Sequence, residues 1–205
     1  MNISPFIYVF LGNVNIYIKN IMKHNNNAYY NGKNDREKND LYCTNPIAVQ
    51  LLLDREKFNK NVWECCNGLG HISRTLEENG YKVRKSDIIN YNNDDTEIID
   101  MLKYDKPFEG DIITNPPYKY STEIAKKCIE LSSGKVALYN SLNFLASQKR
   151  KPLFEKYPPK TVYIMSKRIS CAKGGDFEHN VNGAIDYCWV VWDKNFKGKT
   201  EIQWI

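Results

Sequence analysis

The chain reads as an α/β protein with a mostly parallel sheet, and three observations carry that reading. Apolar runs of strand length alternate with amphipathic stretches of helix length from residue 46 onward. A turn with two glycines, Gly68-Leu69-Gly70, joins an early strand to a helix, as at the opening of a nucleotide-binding α/β unit. Near the C-terminus two strand-like runs follow one another with little helix between them, which implies a reversed strand at the edge of the sheet. At 205 residues the chain suits one well-buried domain and is too short for two of ordinary size.

Residues 1–39 differ from the rest. After a short apolar opening, Asn-rich and charged stretches such as His24-Asn25-Asn26-Asn27 and Asn31-Gly32-Lys33-Asn34 cannot bury enough surface to order themselves. They are expected to be a disordered or leader segment, with Met22 a candidate initiator, and residues 40–205 form the domain. The elements then follow in order. Asn45-Pro46 opens a helix over 46–57, and Val62-Trp63-Glu64 lies in a strand over 61–66. A helix over 70–79 is stopped by Gly80, and a strand over 81–87 ends at Asp87. A loop rich in Asn and Asp covers 89–97. The run Asp111-Ile112-Ile113-Thr114 is a buried strand, and a helix over 121–132 buries Ile124, Cys128, Ile129 and Leu131. Gly134 ends it. A strand over 136–139, a helix over 143–156 ahead of Pro158-Pro159, and strands over 161–166 and 185–193 complete the series.

Asn115-Pro116-Pro117-Tyr118, at the end of the 111–114 strand, is the most informative tetrapeptide. Two prolines fix φ near about −65° and remove two N–H donors. The Asn115 amide and the Pro116 carbonyl can then present two oxygen acceptors to one planar NH2 group, with Tyr118 lying on the ring that carries it. Upstream, Glu64-Cys65-Cys66-Asn67-Gly68-Leu69-Gly70 is a strand end and glycine turn, and Asp87 closes the following strand where an acid can accept from ribose hydroxyls. NAD and S-adenosylmethionine both fit such a unit. Ser73 stands where a dinucleotide fingerprint would have its third glycine, which favours S-adenosylmethionine.

With these residues in view, the chain resembles the small phage-type N6-adenine-specific DNA methyltransferases, S-adenosylmethionine-dependent enzymes with an Asn-Pro-Pro-Tyr motif. The likeness runs from about Asp40 to the C-terminus and includes Tyr42-Cys43-Thr44-Asn45-Pro46 and the acid Asp100. Family members usually carry Pro where this chain has Cys65. The resemblance implies a single Rossmann-like methyltransferase domain whose mostly parallel sheet has seven strands, one of them antiparallel near the C-terminus. It implies that Glu64, Gly68 and Gly70, assisted by Thr44, hold the methionine part of the cofactor. Asp87 would bind the ribose and Asp100 the adenine amine, while Asn115, Pro116, Pro117 and Tyr118 would receive a flipped adenine of double-stranded DNA. Local alternatives exist for several of these: Glu64 or Thr44 as helix caps, Asp87 and Asp100 as turn residues. Related chemistry on an RNA base or a protein glutamine, and a non-catalytic nucleic-acid-binding module, are the other functional readings.

The net charge of +5 is compatible with a polyanionic partner. Lys149, Arg150, Lys151, Lys156, Lys160, Lys167, Arg168 and Lys173 are interleaved with Phe144, Phe154, Tyr157 and Tyr163, a pattern that suits a phosphate backbone with a displaced base. The loop 170–183, with Gly174, Gly175 and His179, is a candidate flap over the site. The six cysteines show no metal-ligand spacing and read as buried thiols of a reducing compartment. No run has the length of a membrane span, so a cytoplasmic protein of a bacterium or a phage-infected host is expected.

Overall fold

The computed structural model describes residues 41–91, 95–167, 169, 171–173, 175–177 and 185–205. The segment 1–39 therefore lies outside the described residues, as do Arg168, Ser170, Gly174, His179 and Gly183 of the expected flap and basic series. Ten strands and four α-helices are seen among the described residues. Strand β1 (Tyr42–Cys43) precedes helix α1 (Pro46–Leu53), β2 (Asn61–Glu64), α2 (His71–Glu78), β3 (Lys82–Asp87) and β4 (Glu97–Ile98). Then come β5 (Asp111–Thr114), α3 (Ser121–Leu131), β6 (Lys135–Ser141), α4 (Lys151–Lys156), β7 (Thr161–Ile164), β8 (Ala172–Lys173), β9 (Tyr187–Asp193) and β10 (Glu201–Trp204).

The main sheet has the order β10-β7-β9-β6-β5-β2-β3-β4, with β1 and β8 forming a separate two-stranded antiparallel ribbon. Strands β2 to β6 are mutually parallel, as alternation with helices requires. Eight strands rather than seven make the sheet, because Glu201–Trp204 pairs in parallel with β7 and extends that edge. The reversed strand is internal and not at the edge: β9 runs antiparallel to both β6 and β7. Its sequence explains the position. Tyr187, Cys188, Trp189, Val190, Val191 and Trp192 are all buried, so the strand is covered on both faces.

Two hydrophobic layers flank the sheet. On one side Ile124, Ala125, Cys128 and Ile129 of α3 pack with Trp63, Ile112, Leu138 and Val190. On the other, Ala48, Val49, Leu52 and Leu53 of α1 and Ile72 and Leu76 of α2 meet Val62, Ile113, Tyr139 and Trp189. Several expected helices are shorter. The 46–57 helix ends at Leu53, and the 143–156 helix divides into a 3-10 turn (Leu142–Leu145) and α4. Pro152 accounts for the division, since it is tolerated in a first turn but would interrupt a continuous helix.

The amino-terminal edge of the sheet is tied by charge. Glu56 is buried, yet it pairs with Lys135 at 2.6 Å and Lys160 at 2.8 Å and accepts from the Tyr163 hydroxyl at 2.9 Å. Burial pushes this carboxyl up, but the hydrogen bonds from Lys135, Lys160 and Tyr163 outweigh it and hold it below its ordinary value. A carboxylate with a depressed value adds stability above its unfolded-state pKa, and that stability is lost as pH falls through the folded one. Glu56→Ala should lower the unfolding free energy by about 2–3 kcal/mol near neutral pH, because it strands two partly buried ammonium groups. Denaturant midpoints at pH 7 and pH 3 check this, with the difference shrinking at the acid end.

Candidate active site

Chain order places a topological switch point at the carboxyl ends of β2 and β5. From β2 the chain moves outward to β3 and β4, then crosses back to β5 on the other side of β2. This is the switch point of an open α/β sheet, where connections leave in opposite directions. Glu64 ends β2 and Thr114 ends β5, and the two meet: the Thr114 hydroxyl donates to Glu64 Oε1, which also accepts from the Cys66 N–H at 2.9 Å. Glu64 is fully buried, and its Oε2 has no hydrogen-bond partner among the described residues. Burial pushes the carboxyl up to about 8, against the two hydrogen bonds and with a smaller push from the Asp87 charge. Glu64 thus caps no helix. It joins the glycine turn to the strand that bears Asn115.

The turn is held by its own side chains. Gly68 and Gly70 have φ of 50° and 77°, left-handed values that a Cβ would strain. The Gly68 N–H donates to Asp87 Oδ2 at 2.8 Å, so the end of β3 holds the turn. Asp87 Oδ1 accepts from the Ile89 N–H at 3.2 Å. Burial raises the Asp87 carboxyl, with the Gly68, Ile89 and Ile88 N–H groups opposing it. Asn67 is a structural centre that motif reading passed over. Its Nδ2 donates to Thr96 Oγ1 at 2.8 Å, its Oδ1 accepts from the Ser73 hydroxyl at 2.7 Å, and its carbonyl accepts from Gly70 N–H. An Asn next to a glycine turn was the available signal. Ser73 also owes its place to this bond.

The Asn115 loop is built differently. Pro116 is buried, and no donor among the described residues reaches its carbonyl, whereas the Pro117 carbonyl accepts from Tyr120 N–H at 2.9 Å. The Asn115 amide nitrogen donates to Thr44 Oγ1 at 2.9 Å and to the Tyr42 carbonyl at 3.2 Å, with Cys171 Sγ at 3.7 Å. No donor among the described residues occupies its Oδ1. Tyr118 donates its hydroxyl to Tyr187 at 2.9 Å, and its ring lies nearly parallel to Tyr42, 10° between planes and 6.3 Å between centroids. Burial keeps the Tyr118 phenol well above its ordinary value, hence neutral. Tyr42 of β1, Cys171 just ahead of β8 and Tyr187 of β9 join the site. Tyr42 belongs to the Tyr42-Cys43-Thr44-Asn45-Pro46 segment, whereas no local motif announces Cys171 or Tyr187.

Asn45, not Thr44, caps α1, accepting from Ile47 N–H at 3.0 Å. Asp100 follows β4 and acts as a turn residue, accepting from Leu102 N–H at 3.1 Å and pairing with Lys103 at 3.0 Å. It sits on the same edge as Asp87, since Ile99 N–H donates to the Asp87 carbonyl. Of the expected flap, residues 171–173 and 175–177 are described. Ala172–Lys173 pairs with Tyr42–Cys43, and Phe177 meets His71 edge-on at 5.2 Å.

The aromatic members of the basic series are not a stacking face. Phe144 is buried and Phe154 packs on it and on Trp192, while Tyr157 and Tyr163 are held by Glu130 and Glu56. Lys160 is bound to Glu56, and Arg150 to the Asn143 and Phe144 carbonyls. Lys149, Lys151, Lys156 and Lys167 remain exposed. No helix among the described residues is long and apolar enough to cross a membrane.

No family model matches the sequence, and no curated protein matches it. Likeness to solved structures is found at the level of fold. A predicted O-methyltransferase from Agrobacterium tumefaciens superposes with a TM-score of 0.53 at 12% identity, over 77% of this chain and 85% of that one. A Listeria monocytogenes protein assigned to the class I S-adenosylmethionine-dependent methyltransferases gives 0.52 at 10% identity, over 77% of this chain and 62% of the other. A Lactococcus lactis protein described as a hemolysin gives 0.52 at 15%, over 80% and 94%. The chain therefore has the Rossmann-like α/β fold these proteins share.

Because the Glu64 carboxyl is raised, the unfolded chain releases its proton first as pH rises. Its contribution to stability should fall between pH 4.5 and about 8. The unfolding free energy of Glu64→Gln, relative to wild type, should therefore gain across that window by up to about 1.4 kcal/mol per pH unit, read from urea melts.

Proposed function

We propose that the protein transfers a methyl group from S-adenosylmethionine to the N6 amine of adenine in DNA. The observation that carries this is the polarity of Asn115. Its amide nitrogen is engaged by Tyr42 and Thr44, so what it can offer an acceptor is an oxygen. Paired with the Pro116 carbonyl, that oxygen suits a group with two N–H donors. A carbonyl or an ionised hydroxyl would meet two acceptors there and be repelled. The fold class supports a methyl donor of the nucleoside type, and the residues of this chain fit one. Gly68 and Gly70 allow close backbone approach, and Oε2 of buried Glu64, without a partner among the described residues, is suited to an ammonium such as that of the methionine part. Asp87 retains lone pairs for ribose hydroxyls, and Asp100 follows on the same edge.

When bound, S-adenosylmethionine supplies a methyl group already activated by a positively charged sulfur. The protein's task is then alignment. Asn115 Oδ1 and the Pro116 carbonyl hold the amine and draw its lone pair out of conjugation with the ring. Tyr118, neutral and anchored by Tyr187, gives the base a face on which to stack, a contact worth about 1–3 kcal/mol. Such stacking offsets part of the few kcal/mol needed to extrude a base from duplex DNA. The amine proton is released to water after transfer, and no strong base is needed.

Labelled S-adenosylmethionine should be offered with unmethylated DNA, RNA and protein, and the products digested for nucleoside and amino-acid mass spectrometry. Label in N6-methyldeoxyadenosine is expected. Label in a ribonucleoside or in glutamine would move the substrate, and no transfer to any amine would overturn the reading. Asn115→Ala should lose at least about 10²-fold in turnover while binding the cofactor within twofold of wild type, checked by calorimetry beside rates. Glu64→Gln should instead weaken cofactor binding at least about tenfold, the loss expected for one charge-assisted hydrogen bond.

A further inference from the structure

Thr44 stands immediately before a helix whose cap is its neighbour Asn45, and its hydroxyl is turned to Asn115 instead. The residue is buried at 3% exposure, so water does not replace that bond. An Asn amide is nearly symmetric in shape, and only its neighbours decide which end faces a ligand. Here the three atoms around the amide nitrogen are a carbonyl oxygen, a hydroxyl and a thiol. The Tyr42 carbonyl can only accept, so a turned amide would set two oxygens against each other. The Thr44 hydroxyl gives the shorter contact, 2.9 Å against 3.2 Å, and takes an N–H of the amide. Cys171, at 3.7 Å, adds a weak acceptor from just ahead of β8. Burial pushes its thiol up to about 12, so it stays uncharged and does not compete as an anion.

We propose that Thr44 is a positioning residue for methyl transfer: with the Tyr42 carbonyl it locks the Asn115 amide so that Oδ1 meets the acceptor amine. This rests on the amine-methylation reading above and deepens it, since it assigns the source of the acceptor preference to Tyr42 and Thr44 and not to the Asn-Pro-Pro-Tyr loop. A role in holding the cofactor makes a different forecast for the same residue.

Thr44→Val keeps the shape and removes the acceptor, Thr44→Ser restores it, and Thr44→Ala guards against misfolding of the valine variant. The Asn115 side-chain NH2 signals, followed by 15N NMR, should exchange with solvent at least tenfold faster in Thr44→Val and Thr44→Ala and at the wild-type rate in Thr44→Ser. In turnover, kcat should fall at least tenfold in Thr44→Val, with the dissociation constant for S-adenosylmethionine within twofold and serine rescuing the rate. Unchanged Asn115 exchange in both Thr44→Val and Thr44→Ala overturns the proposal, as does a tenfold loss of cofactor affinity with kcat preserved. The exchange measurement needs no turnover, so it tests the amide lock even if the protein methylates none of the acceptors offered.

Discussion

A carboxyl group shut away from water, with one oxygen paired and the other without a partner among the described residues, is costly to place in a sheet, and Glu64 sits where the glycine turn meets the end of β5. Its Oε1 receives the Thr114 hydroxyl from β5 and the Cys66 N–H from the glycine turn. One atom therefore fixes how the turn stands relative to the Asn115 loop. The same burial raises its carboxyl to about 8, so near neutral pH the group is poised to ionise when a cation enters. The local arrangement costs stability, a cost that is common at functional sites.

The rest of the site is organised around the same edge by uncharged contacts and one carboxylate. Asp87 holds the Gly68 N–H, Asn67 bridges Thr96 and Ser73, and the short β1–β8 ribbon brings Tyr42, Thr44 and Cys171 against Asn115. Tyr118 is anchored at its hydroxyl by Tyr187, whose ring stacks on Tyr139 at 5.1 Å. Asn115 and Tyr118 are thus each braced by partners from distant parts of the chain, which fixes the orientation of their side chains.

Charge at the opposite edge has a structural use. Glu56 gathers Lys135, Lys160 and Tyr163 at the amino ends of β6 and β7. Two of the residues that gave the basic, aromatic stretch its nucleic-acid look, Lys160 and Tyr163, are consumed there. A one-dimensional run of cations and rings does not say which of them face water. Lys149, Lys151, Lys156 and Lys167 of that run stay exposed.

Much of the molecule was legible in one dimension because its signals are local. The β5 run ends where its four residues end, α3 buries the face its spacing predicts, and glycines 68 and 70 adopt the left-handed values a tight turn demands. The two candidate motifs, with their prolines, glycines and acids, depend on backbone geometry within a few residues and could be read directly. What only tertiary structure decided is non-local. Pairing of β9 between β6 and β7, the eighth strand β10, the ribbon joining residues 42–43 to 172–173, and the bond from Asn115 to Thr44 all join segments tens of residues apart. Strand order and amide polarity are set by which surfaces bury one another, and a sequence carries that information only through the sum of its contacts.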